Sequence, residues 1–175
     1  MKKLTTTVIL ALLCLTINAQ TFISTNSNWK YKDDGSNQGT AWRANGFNHT
    51  SWSSGNAQLG YGDGDETTVV NSGPSGSYYA TTYFRQEFNV ADPSSISSLD
   101  LDLLVDDGAV VYLNGVELFR QGMPTGTVSY NTYANFTASG TDESSYTAHN
   151  GLPSSALLSG TNVLAVEVHQ INATS

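Results

Sequence analysis

The residues best equipped for chemistry in this 175-residue chain are carboxylates, and they gather in two short loops. Asp106 and Asp107 stand side by side before Gly108, while Asp63, Asp65 and Glu66 are interleaved with Gly62 and Gly64. Neighbouring carboxylates on a turn can ligate calcium, which takes six to eight hard oxygens and so also needs carbonyls, amide side chains or waters. The same strings read also, and more simply, as plain turns, in which Asp caps its own backbone and Gly supplies positive φ. Both readings stand for each loop, with calcium as the ion and Asp63, Asp65, Asp106 and Asp107 as its candidate ligands. The loop of Asp63, Asp65 and Glu66 is not an EF-hand, since Pro74 occupies the place where it would need its bidentate Glu.

Other side chains offer recognition rather than catalysis. Arg85 lies two residues from Glu87 on an extended segment, so the two share a face; the guanidinium could grip a carboxylate or sugar hydroxyls, or close a cross-strand ion pair. Trp29, Trp42, Trp52, Tyr61, Tyr78 and Tyr79 could stack on sugar rings or fill a core. The histidines are three, His49, His149 and His169. His169 alternates with Glu167 and reads as a member of a polar network. No Gly-x-Ser-x-Gly, His-Glu-x-x-His or phosphate-cradling loop with Lys is present. Glycosidase acids are defined by their separation in space, so catalysis by carboxylates such as Asp63, Asp107 or Glu167 stays as a rival reading.

The elements that would position these groups are strands. Leu99, Leu101, Leu103 and Val105 alternate with more polar neighbours, as in a half-buried strand. After 106–108 breaks the chain, residues 109–113 and 116–119 flank Asn114-Gly115, a pair suited to the two positive φ values of a type I′ hairpin turn. Together they predict a three-stranded antiparallel meander. Residues 79–90 predict a long strand with Phe84, Phe88 and Val90 on one face, and 164–168 another. Shorter strands are expected at 29–32, 58–61 and 146–149. Residues 33–56 predict a long loop packed by Trp42, Phe47 and Trp52. With no apolar stripe of helical period, the fold class is all-β, a two-sheet antiparallel β-sandwich of the jelly-roll kind.

The first residues set the expected compartment. Lys2 and Lys3 precede an apolar run over 8–17 that ends near small Ala19, the pattern of a signal peptide spanning 1–19 and cut before Gln20. The run is too short to cross about 30 Å of hydrocarbon. The expected product is secreted or displayed at the cell surface. It lacks cysteine, because Cys14 leaves with the leader, so disulfides and thiolate metal sites are excluded. Seven basic residues face 15 acidic ones in the full chain, a net charge of -8, and losing Lys2 and Lys3 deepens the imbalance. Nucleic acid and anionic membranes are poor partners for such a surface.

The string Asp106-Asp107-Gly108-Ala109-Val110-Val111-Tyr112-Leu113-Asn114-Gly115 resembles the galactose-binding-like jelly-roll modules of secreted bacterial multidomain proteins. Trp29-Lys30-Tyr31, the run 59–66, Tyr83-Phe84-Arg85, Met123-Pro124 and the run 162–170 extend the likeness across nearly all of 29–175. The resemblance implies a module at 20–175 that is carbohydrate-binding-like and non-catalytic, beside domains such as a metallophosphoesterase or a glycoside hydrolase. It also implies that an Asp-Asp loop could hold calcium that grips sugar hydroxyls. The candidate ligand contacts are Trp52, Arg85, Tyr112 and Asn114, and the candidate partner is a glycan. A structural spacer is the alternative. The resembled modules continue into one more strand past residue 175, so this chain is expected to be a fragment with one sheet position unfilled.

Overall fold

Alternation of side chains along two ten-residue strands organises the molecule. A computed structural model of the chain describes residues 20–62, 64–136 and 145–174; the expected leader and Asp63 lie outside the described residues. The strands are β1 (Asn28–Lys32), β2 (Ser53–Asn56), β3 (Leu59–Gly60), β4 (Thr68–Val69), β5 (Thr81–Val90), β6 (Ser98–Leu103), β7 (Gly108–Leu113), β8 (Val116–Gln121), β9 (Thr147–Pro153) and β10 (Gly160–His169). Among the described residues, helix is confined to short 3₁₀ turns at Ala41–Arg43 and Pro93–Ser95.

The main sheet has six antiparallel strands in the order β2-β1-β5-β10-β7-β8. At its centre β5 and β10 pair from Gly160↔Val90 to His169↔Thr81. On one face Val166, Ala109 and Val111 pack with Phe84, Leu164 and Val168 against Leu101 and Leu103 of β6. Among the described residues strand β6 pairs only with β9, making the opposite layer of a β-sandwich, with the short parallel pair β3-β4 apart from it. The other face carries Tyr83, Val110, Tyr112, Val163 and Ala165 beneath the β1-β2 loop. Trp42 of that loop is fully buried, its ring 4.9 Å from Tyr83, 6.0 Å from Tyr112 and 6.3 Å from Trp52.

The fold is the expected all-β jelly-roll sandwich, but the meander is not formed. Strands β7 and β8 make the hairpin, with Leu113 opposite Val116 and φ of 52° at Asn114 and 88° at Gly115, as a type I′ turn requires. Strand β6 instead lies in the other sheet. The cause is the break at 106–108: Asp107 sits at φ 60°, and its Oδ2 accepts the Ile171 N–H at 2.7 Å, so the chain turns a corner between sheets there. Gly108 is required at the corner, because an added Cβ would lie 2.6 Å from Met123 Sδ and 2.8 Å from Ala134 Cβ. The 33–56 loop packs through its three aromatics as expected, though its end becomes edge strand β2.

Candidate functional site

Three groups of polar side chains surround the main sheet, and they differ in whether anything outside can reach them. The first is sealed. Strand alternation turns Glu167 of β10 and Tyr112 of β7 toward the β1-β2 loop, which brings Arg43 down from the 3₁₀ turn. Arg43 Nη2 donates to Glu167 Oε1 at 3.0 Å, and the Tyr112 hydroxyl donates to the same oxygen at 2.6 Å. The guanidinium stacks 4.2 Å above the Tyr112 ring. His169 places Nε2 3.6 Å from the other Glu167 oxygen and donates through Nδ1 to the Thr132 carbonyl at 2.7 Å. Burial and then the adjacent Glu167 carboxylate push the Tyr112 phenol up. Glu167 is 1% exposed and His169 fully buried, so this network locks the loop to the sheet.

The second group is open. A cleft of about 180 Å³ is lined by Asn28 and Lys30 of β1, Arg85, Gln86 and Glu87 of β5, and His49 of the β1-β2 loop. Lys30 and Arg85 are direct cross-strand partners, so their side chains leave the sheet on the same face. Arg85 is almost wholly buried. Its Nη1 donates to the carbonyls of Trp42 and Ala44, and its Nε donates to His49 Nδ1 at 3.1 Å. Nδ1 of His49 is therefore an acceptor, which leaves the ring proton on Nε2, 3.8 Å from Glu87 Oε1. Burial first, and then the Arg85 charge, hold the His49 imidazole below its ordinary value.

The third group gathers the acidic loops. Glu66 and Asp106 line one smaller cleft with Tyr61, Leu104 and Gln170, so the fold does bring the two carboxylate-bearing segments together. Burial raises the Tyr61 phenol to about 12. Asp65 and Asp106 are exposed, and Asp107 is buried as the acceptor at the corner. Among the described residues no three His, Cys, Asp or Glu side chains gather as a metal would need.

The remaining candidates lie within the fold. Trp52 is 5% exposed, its ring packed 5.9 Å from Phe47 as well as against Trp42. Tyr112 is in the sealed network. Asn114 donates to the Ala156 carbonyl at 2.8 Å and to Asn162 Oδ1 at 2.7 Å, and accepts the Val163 N–H at 2.8 Å. Sequence reasoning missed Lys30, His49 and Arg43. Only the strand register reveals that Lys30 faces Arg85, and only tertiary packing brings His49 to them and Arg43 to Glu167.

No family model matches the chain, and no curated protein matches it either. Solved structures do. A Bacteroides uniformis β-glucuronidase 2 covalently bound to cyclophellitol-6-carboxylate aziridine superposes with a TM-score of 0.56 at 17% identity, over 87% of this chain and 15% of that one. A β-glucuronidase from glycoside hydrolase family 2 gives 0.54 at 18%, over 88% and 14%. An uncultured Clostridium sp. β-glucuronidase gives 0.52 at 18%, over 90% and 24%. The chain thus spans less than a quarter of those proteins, and at this identity it shares with them the β-sandwich fold.

Proposed function

We propose that this chain is a non-catalytic, carbohydrate-binding-like accessory module of a secreted multidomain protein. The observation that carries the reading is the fold match itself: nearly the whole chain corresponds to a module-sized piece of carbohydrate-active enzymes. The burial of Glu167 and Asp107 supports a non-catalytic role, because an acid or nucleophile must touch its substrate. Such a module would act by raising the local concentration of a linked enzyme on its glycan.

Glycan-array binding of the 20–175 chain, run beside hydrolysis assays on the same glycans, tests this. The reading expects retention of at least one glycan class without turnover. Turnover abolished by Glu167→Gln or Asp107→Asn would make it an enzyme, and an array without any binding would leave the spacer. Export belongs to the same proposal: the mature protein recovered from a secreting host should begin at Gln20. Calcium is tested separately, as a rise in melting temperature in millimolar calcium over chelator.

A further inference from the structure

We propose that the cleft between β1, β5 and the His49 loop is an anion-recognition subsite, and that it takes the carboxylate of an acidic sugar residue. The sugar half of this inference rests on the carbohydrate-binding reading above; the anion half rests on the distribution of charge.

Apart from Lys2 and Lys3, the chain has five basic residues: Lys30, Lys32, Arg43, Arg85 and Arg120. Three of them are ion-paired, Lys32 with Asp34, Arg43 with Glu167 and Arg120 with Glu117. Among the described residues Lys30 and Arg85 are within ion-pair distance of no carboxylate, and both line the same cleft. In a protein so rich in acid, the two cations that pair with no carboxylate among the described residues stand together.

They also stand in an unfavourable place. Like charges directly opposite on neighbouring strands destabilise the pairing, and Lys30↔Arg85 is such a pair. Burial weakens the hold of Arg85 on its proton, the physical signature of a charge short of compensation, and its Nη2 has no hydrogen-bond partner. The carboxylate in the cleft lining, Glu87, is half-exposed and stands 3.8 Å from His49 Nε2; it lies beyond ion-pair distance of both cations, and its charge offsets only part of the burial of Arg85. An anion entering beside Lys30 would relieve the repulsion, accept from the ammonium and from His49 Nε2–H, and sit in the field of the buried guanidinium. Asn28 and Gln86 supply neutral donors and acceptors of the kind that hold hydroxyls. At about 180 Å³ the cleft is smaller than the roughly 300 Å³ at which drug-sized pockets begin, which suits one sugar residue.

The test is titration of the 20–175 chain with glucuronate, galacturonate, glucose, galactose and acetate, followed by calorimetry or NMR. At least one of the two sugar acids should bind about tenfold or more tightly than its neutral counterpart and than acetate, and salt should weaken it. Lys30→Met, at a partly exposed position, should lose that preference while leaving the circular dichroism spectrum intact. Glu87→Gln should strengthen binding of the acids, since it removes a competing carboxylate. Equal affinity for acid and neutral sugars, or full binding by Lys30→Met, overturns the subsite and leaves the carbohydrate reading standing. Acetate binding as tightly as the sugar acids overturns the sugar half alone. Silence toward all five, with no glycan retained on the array, overturns both.

Discussion

Asn114 is tied to Asn162 across 48 residues, and the pair explains why two motifs far apart in sequence belong to one structure. Asn162, fully buried, accepts the Leu158 N–H at 2.8 Å and donates to the Leu158 carbonyl at 2.7 Å, so the two amides join the β7-β8 turn to the start of β10. Asn114→Gly keeps the positive φ but loses the side-chain bonds, and should cost about 2 kcal/mol or more in a denaturant melt. Gly115→Val loses the φ instead, and should cost on the order of 1 kcal/mol or more. At the corner, Asp107→Ala should destabilise by about 1–3 kcal/mol, equally in calcium and in chelator, because it removes a buried acceptor; Asp107→Asn, which retains an oxygen and tolerates left-handed backbone, should cost less. His49 gives the expected acid dependence. Its folded value lies below the ordinary 6.5, so the unfolded chain binds the proton more readily and stability falls as pH drops below 6.5. His49→Gln should flatten that part of the pH profile. The turn at 114–115 was legible because φ is a local demand of the sequence. The amide bonds of Asn114 and the acceptor role of Asp107 were not, since their partners arrive from distant segments.

At the scale of elements, the β1-β2 loop is held to the sheet by a buried ion pair joining residues 124 positions apart. Removing one partner of such a pair is expected to cost about 3–5 kcal/mol, whereas replacing both with apolar groups costs far less. Glu167→Leu alone should therefore be much worse than Arg43→Met with Glu167→Leu, a comparison that two chemical melts settle. The central strands were legible because Phe84, Phe88 and Val90 alternate with Tyr83, Arg85, Glu87 and Asn89, and Leu164, Val166 and Val168 alternate with Ala165, Glu167 and His169. The partner of β6 was not legible. Leu99, Leu101 and Leu103 declare a strand, but period-two alternation says nothing about which sheet it joins, and the run 106–108 reads alike as a hairpin turn or a corner. Of the two-residue strands, β3 falls within the expected 58–61, while β4 is too short to leave any pattern.

For the whole molecule, composition sets the character and packing sets the site. A net charge of -8 makes an anion-binding cleft counterintuitive, since such a surface is compatible with a calcium ion or a neutral sugar. Folding reverses that expectation locally: it neutralises three cations with carboxylates and leaves Lys30 and Arg85 together. Arg85 was singled out from its spacing, but its partner in the cleft depended on a register that one sequence does not encode visibly. The most direct measurement is amide chemical-shift mapping of the isotope-labelled 20–175 chain during titration with an acidic oligosaccharide retained on the array. The account predicts that the largest shifts cluster at 28–30, 49 and 85–87, saturate together, and disappear in Lys30→Met. Shifts centred instead on 58–66 and 104–106, or none anywhere at saturating ligand, would contradict it.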